Sequence, residues 1–342
     1  MQAENEIVVI LVIDVQLVVN LGIIGYRNHA ARLMSLIEKR KDCKIKYIYH
    51  PTKSISNSRG TNNISDLYSC DGVIIASPNN THFDYIIDLL KNSDSAIFCE
   101  KPPVTSLNDL KKLEKLSLID KHRLFFNFNY RFSDIAENLQ KNLNSREIGK
   151  LIHVSIFSTH GLAFKKEYPS SWRADGKKNL HSVLETVTIH YLDLLVFCLG
   201  NLDKSYYFPT LVSESGTSYD TSTVILQYKN GTTVSIVNSY AAPYINDISI
   251  IGTNGFFTIR NDQLIIRSPR DTFDKRGLFI SPPIFHKLKF SIQDDYTNSL
   301  EKSFNYFLIH IIEKKDMNIN HFQASLLTNR LIIDLKNYKG DT

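Results

Sequence analysis

The first part of the chain alternates short apolar, β-rich runs with apolar residues at helical spacing, and this restricts the fold more than any other feature. Val18 to Ile24, Ile45 to Tyr49, Gly72 to Ala76, Ala96 to Cys99 and Leu124 to Phe128 read as strands. Between them, Ala30, Leu33, Met34 and Ile37 recur on one helix face. Phe83, Ile86, Ile87 and Leu90 do the same, as do Leu107, Leu110, Leu113 and Leu116. Gly72 to Ala76 is almost wholly apolar, as a strand covered on both faces must be. The pattern predicts an α/β fold with a parallel, doubly wound sheet and right-handed crossovers.

Near residue 130 the pattern changes. A helix is expected near Ser133 to Leu143, a strand over Leu151 to Ser158 and a long helix over Val183 to Cys198. Strands then dominate: Ser222 to Tyr228, Thr232 to Tyr240, Asp247 to Ile251, Phe256 to Arg260 and Leu264 to Arg267. Asn230-Gly231 and Asn254-Gly255 are hairpin dipeptides, because both residue types tolerate positive φ. This half is therefore expected to be α+β, with a large, mostly antiparallel sheet. Two helices close the chain, near Asp295 to Glu313 and His321 to Tyr338. The expected boundaries are an extension over 1–17, a first domain over 18–130 and a second over 131–342.

A length of 342 residues suits two domains. Lys plus Arg number 40 and Asp plus Glu 35, a net charge of +5 with no block of like charge. That balance suits an anionic small molecule and gives no argument for nucleic acid. Cys43, Cys70, Cys99 and Cys198 lie far apart with no CxxC pair, so neither a zinc site nor a disulfide framework is expected. Reduced thiols fit a cytoplasmic protein. Ile7 to Val19 is apolar but broken by Asp14 and Gln16, and it falls short of the ~20 residues that span a bilayer. Acidic Glu4 and Glu6 precede it, unlike the basic lead of a signal peptide. An added strand or hairpin, or sequence upstream of the true start, is expected there rather than a membrane anchor.

Three motifs sit at strand ends. Gly22-Ile-Ile-Gly25-Tyr-Arg27-Asn28-His29-Ala30 lies where the first strand turns into the first helix. Such a turn presents backbone N–H groups to a pyrophosphate. Gly25 and Ala30 fit the first and third positions of G-x-G-x-x-G/A, while Arg27 replaces the second glycine. Its side chain either crowds the pyrophosphate or, with the turn displaced, contacts phosphate itself. Ser77-Pro78-Asn79-Asn80-Thr81-His82 follows the third strand, and Glu100-Lys101-Pro102-Pro103 the next. Both lie at carboxyl ends of parallel strands, where doubly wound sheets bind ligands.

Together with Asn129-Tyr130-Arg131-Phe132 and His190-Tyr-Leu-Asp193-Leu-Leu, these pieces resemble the glucose–fructose oxidoreductase, inositol dehydrogenase and MocA family. The resemblance runs from about Val18 to Tyr338. It implies an N-terminal Rossmann domain, a C-terminal domain whose open sheet often makes a homo-oligomer, and NAD(P)-linked chemistry on a sugar, cyclitol or nucleotide-linked sugar. It places Lys101 beside the reacting carbon and the nicotinamide, with Glu100 orienting that region and Pro102 after a cis bond. Gly25, Arg27, Asn28, His29, Ala30, Ser77, Pro78, Asn79 and His82 fall on the cofactor side. His190 is the second catalytic candidate, since imidazole titrates near working pH. Relatives carry Asp one turn before this histidine; here the position is Thr186, on one ideal helix face with His190 and Asp193, while Glu185 points about 100° away.

Trp172, Arg173 and Arg131 are substrate-side candidates, Arg173 for a phosphate or carboxylate and Trp172 for a sugar face. The second strand ends in Tyr49-His50-Pro51-Thr52-Lys53, with no acid for a ribose 2′-hydroxyl. Lys53 and Arg59 nearby give a slight lean to NADP, although His50 or Thr52 can also bond that hydroxyl. An alternative to the enzyme is a non-catalytic dinucleotide- or sugar-binding regulator, which Arg27, the missing acid and Thr186 would suit.

Overall fold

A computed structural model describes residues 18–337 except positions 57, 144 and 201, so the expected extension over 1–17 lies outside the described residues. The first half runs β1 (Val19–Ile24), α1 (Asn28–Glu38), β2 (Cys43–Tyr49), β3 (Gly60–Thr61), β4 (Gly72–Ile75), α2 (His82–Asn92), β5 (Ala96–Glu100), α3 (Leu107–Glu114), α4 (Leu118–His122) and β6 (Leu124–Asn127). These strands form a six-stranded parallel sheet in the order β3-β2-β1-β4-β5-β6. The order reverses beside β1, which opens the crevice where such sheets take ligands.

The second half runs α5 (Asp134–Asn142), β7 (Leu151–Thr159), α6 (Gly176–Asn179), a π-helical turn (Leu184–Thr188), α7 (Ile189–Leu199), β8 (Leu202–Thr210), β9 (Thr221–Tyr228), β10 (Thr233–Ser239), β11 (Ile245–Gly252), β12 (Phe256–Arg260), β13 (Gln263–Arg267), β14 (Ile284–Lys289), α8 (Ile292–Ile312) and α9 (Ile319–Asn337). Eight strands make one sheet, β14-β13-β12-β11-β7-β10-β9-β8. Every pairing in it is antiparallel except β7 with β10. Its inner face buries Val154, Ile156, Val224, Leu226, Val234 and Ile236 against Leu192 and Leu195 of α7. Its outer face leaves Ile152, Phe157 and Ile251 substantially exposed.

Three features depart from the sequence expectation. Strands β8 and β14 bound the large sheet without a clean apolar alternation, because edge strands bury little: β14 is exposed at nearly every position. The expected single helix over Val183 to Cys198 begins as the π-helical turn, whose wider spacing alters the register of the following side chains. The third feature is the destination of α8. Its Phe304, Phe307 and Leu308 pack on Leu21, Ile23, Phe98 and Phe125 of the parallel sheet. A helix near the chain's end thus completes the core of its first domain.

Candidate active site

The β1–α1 turn depends on Gly25, whose φ is +110°. A Cβ there would meet the Ala76 carbonyl oxygen at 2.6 Å, so only glycine lets the turn lie against the end of β4. Ala30 is fully buried, as close helix–sheet packing requires. Asn28 opens α1, and Arg27 before it is exposed and gives no side-chain cap. The first N–H groups of α1 therefore have no side-chain cap, beside a turn that admits close approach. These features fit a dinucleotide pyrophosphate.

Neighbouring loops are held by internal bonds. His50 Nδ1 accepts the N–H of Lys53 at 2.9 Å and that of Thr52 at 3.2 Å, fixing the turn after β2. Lys53 is exposed there, whereas Arg59 pairs with Glu38 at 3.0 Å. Ser77 Oγ bonds Thr81 Oγ1 at 2.7 Å, and Pro78 and Asn79 lead into a short 3-10 turn before α2. His82 is completely buried, with ring nitrogens 2.8 Å from the Pro102 carbonyl and 3.1 Å from the Ser77 carbonyl. It ties the two strand-end loops together.

Glu100 and Lys101 stand where β5 ends. The Glu100 carboxylate accepts from Asn127 Nδ2 at 2.8 Å and lies 3.8 Å from His29 Nδ1. Asn127 in turn accepts from Ser303 of α8 at 2.9 Å. The Lys101–Pro102 bond is cis. Lys101 Nζ crosses to the second half and donates to the carbonyls of Glu185, at 3.3 Å, and Thr186, at 3.1 Å. Burial of its ammonium lowers its pKa to about 8; Glu100 opposes that shift and Arg173 adds to it.

In the second half, the Thr186 hydroxyl donates to the Ser182 carbonyl at 2.6 Å and bonds the Tyr240 hydroxyl. Glu185 turns to α9, where Lys336 holds it at 2.6 Å. His190 packs on Tyr130, with ring centroids 5.1 Å apart, and edge-on to Tyr296. Its Nδ1 is buried with no hydrogen-bond partner among the described residues, and burial, with Lys101 and His29 nearby, pushes its pKa well below the usual imidazole range. Thr186 and His190 therefore meet different neighbours, despite their expected common face.

The structure brings Lys101, His190, Thr186, His29 and Glu100 close together. Arg173 joins them: its guanidinium lies over the Trp172 ring at 4.7 Å and its charge is felt at Lys101, His29 and Tyr240. Arg131 is elsewhere. It forms a buried fork on Asp193, at 2.8 and 2.6 Å, and also donates to Ser325 and the His321 carbonyl. Tyr240, Tyr296 and Asn127 are neighbours that sequence reasoning missed. Only Asn127 carried a signal, as a polar residue ending an apolar strand.

Comparison with known proteins agrees with this architecture. Residues 19–128 match an oxidoreductase family with an NAD-binding Rossmann fold, and residues 137–258 match the GFO/IDH/MocA C-terminal domain. An inositol 2-dehydrogenase of Rhizobium meliloti is 29% identical over 201 residues, 56% of this chain and 58% of that protein. A myo-inositol 2-dehydrogenase of Thermotoga maritima is 27% identical over 193 residues, 54% of this chain and 55% of that protein. The matched stretch thus spans little more than half the length of either relative. A solved myo-inositol dehydrogenase of Corynebacterium glutamicum superposes with a TM-score of 0.70 at 20% identity, covering 94% of this chain and 96% of that one.

Proposed function

The chain belongs to the GFO/IDH/MocA family of oxidoreductases, and from there we propose that it transfers hydride between NAD(P) and a CH–OH or carbonyl carbon of a sugar, cyclitol or nucleotide-linked sugar. The observation that carries this reading is Lys101, buried at a strand end beside the Gly25 turn, with a pKa of about 8. A lysine so placed can hold or release a proton at the substrate oxygen near neutral pH. In this reading the bound nicotinamide supplies the hydride acceptor or donor. Gly25, Arg27, Asn28 and Ala30 hold the pyrophosphate through backbone N–H groups, with the Arg27 guanidinium free to reach a phosphate. Pro78, Asn79 and His29 line the nicotinamide side. His190 and Trp172 close the cleft from residues 131–342, opposite the cofactor domain of residues 18–130.

The absence of an acid after Tyr49, with Lys53 exposed, favours NADP. The residues here that could bond a ribose 2′-hydroxyl instead are Thr52 and His50, and His50 Nδ1 already accepts from backbone N–H groups. Calorimetric titration with both cofactors tests this; a preference for NAD that survives Lys53→Ala refutes it. The exposed Ile152, Phe157 and Ile251 on the open sheet support a homo-oligomer.

The decisive experiment is mass spectrometry of ligand released from gently purified protein, followed by turnover with the sugar it identifies. A retained dinucleotide and measurable turnover support the enzyme. A retained sugar with no turnover in either direction would favour the non-catalytic regulator.

A further inference from the structure

The corner of the cleft formed by Thr186, Tyr240 and Arg173 carries charge chemistry that hydride transfer does not use. Lys101 lies on one side of Thr186, donating to its carbonyl at 3.1 Å. The Thr186 hydroxyl bonds Tyr240 on the other side. Arg173 lies near enough for its charge to act on the same Tyr240 hydroxyl. Among the described residues no carboxylate lies within ion-pairing distance of Arg173. Its guanidinium lies over the Trp172 ring at 4.7 Å.

The nearby acids are already engaged. Glu185 is neutralised by Lys336 at 2.6 Å and faces α9. Glu100 accepts from Asn127 at 2.8 Å and sits 3.8 Å from His29. Thr186 itself is uncharged. A guanidinium without a counter-ion, next to a buried ammonium, leaves the corner cationic. A planar fork of donors is the geometry that matches carboxylate and phosphate oxygens.

We infer that the substrate is a sugar whose own ring bears an oxyanion, a carboxylate or a phosphate, which Arg173 binds beside Thr186 while Lys101 meets the reacting oxygen. This rests on the catalytic reading above and narrows its substrate class. Trp172, stacked under the guanidinium, holds the fork in place and offers its remaining surface to the sugar ring.

The test uses the full chain saturated with its preferred dinucleotide and titrates D-glucose, D-glucuronate and D-glucose 6-phosphate as probes. The expected result is roughly 10- to 100-fold tighter binding of at least one charged probe than of glucose, the range of a charged hydrogen bond. Glucuronate against glucose 6-phosphate separates carboxylate from phosphate. Arg173→Gln should abolish the preference and Arg173→Lys retain part of it, while Thr186→Asp should turn it against the charged probe. Equal or tighter binding of glucose, or no binding of either charged probe, overturns the inference. So does an Arg173→Gln protein that loses dinucleotide affinity and keeps the probe preference, since that gives the guanidinium to the pyrophosphate. Failure to bind any dinucleotide would instead remove the enzyme reading beneath it, and that titration is read first.

Discussion

Lys101 Nζ lies 3.1 Å from the Thr186 carbonyl, so the residue that follows β5 of the parallel sheet is anchored on the π-helical turn of the other half. The two halves thus set the lysine's position jointly. An α-helical Thr186 carbonyl would normally accept from within its own helix; in the wider turn it also serves Lys101.

Replacing Lys101 by Met should cost ~10²–10⁴ in turnover, the usual effect of losing a general acid–base group. Dinucleotide affinity should stay near normal. Single-turnover kinetics separate chemistry from binding. In the wild type, a lysine with a pKa of about 8 sets opposite pH dependences for the two directions. Alcohol oxidation, which needs the unprotonated amine, should rise as pH passes through about 8. Carbonyl reduction, which needs the ammonium, should fall over the same range. A Lys101→Met protein with full turnover sinks the mechanism.

His190→Asn should lose less than Lys101→Met. The Nδ1 is buried, the ring lies near Lys101 and stays neutral, and among the described residues no carboxylate holds that nitrogen. It is thus a weak proton acceptor that orients more than it titrates. The kcat–pH profile of the variant should keep the wild-type midpoint. A midpoint that disappears with His190 would make the histidine, not the lysine, the titrating group.

Arg131→Met should unfold the protein more readily without changing the chemistry. Arg131 and Asp193 are almost wholly buried, at 1% and 0% exposure of their side chains. Removing one partner of a buried pair typically costs ~3–5 kcal/mol, because the other charge is stranded. Denaturant melts should show a loss of that size, with KM for the substrate unchanged in the protein that remains folded. A raised KM at unaltered stability would return Arg131 to the substrate.

His321 makes stability depend on mild acid. It stacks on Phe132 at 5.4 Å, and burial beside Arg131 lowers its pKa to about 4. In the unfolded chain it titrates near ~6.5. Between those values the unfolded state binds more protons, so stability is lost as pH falls from about 6.5 to about 4. A shift of this size corresponds to roughly 3 kcal/mol. His321→Phe should flatten melting temperature against pH over that window; an unchanged slope would assign the acid sensitivity to other groups.

The parallel sheet was legible because its strands are covered on both faces and end in motifs: the apolar run Ile97 to Cys99 points directly to Glu100 and Lys101. Gly25 was legible because only glycine takes its φ. The role of Arg131 was not. Its partner, Asp193, lies far along the chain, and Asn129-Tyr130-Arg131-Phe132 gives no sign of which way the guanidinium turns. Nor was the π-helical turn visible, because Leu184 to Thr188 has composition suited to an ordinary helix. Edge strands β8 and β14 escaped notice because burial writes the apolar pattern, and they are hardly buried. Helical spacing showed that α8 has an apolar face but not that the face belongs to the first sheet.

That last placement bears on how the chain assembles as it is made. All strands of the parallel sheet leave the ribosome well before Ile292, yet Phe98 and Phe125 wait for Phe304 and Phe307 of α8 to cover them. The nascent first domain must therefore hold an uncovered aromatic face throughout synthesis of the second. Completion of the parallel sheet's core waits until α8 has been translated, and a chain stopped short of α8 would leave its oldest sheet sticky rather than finished.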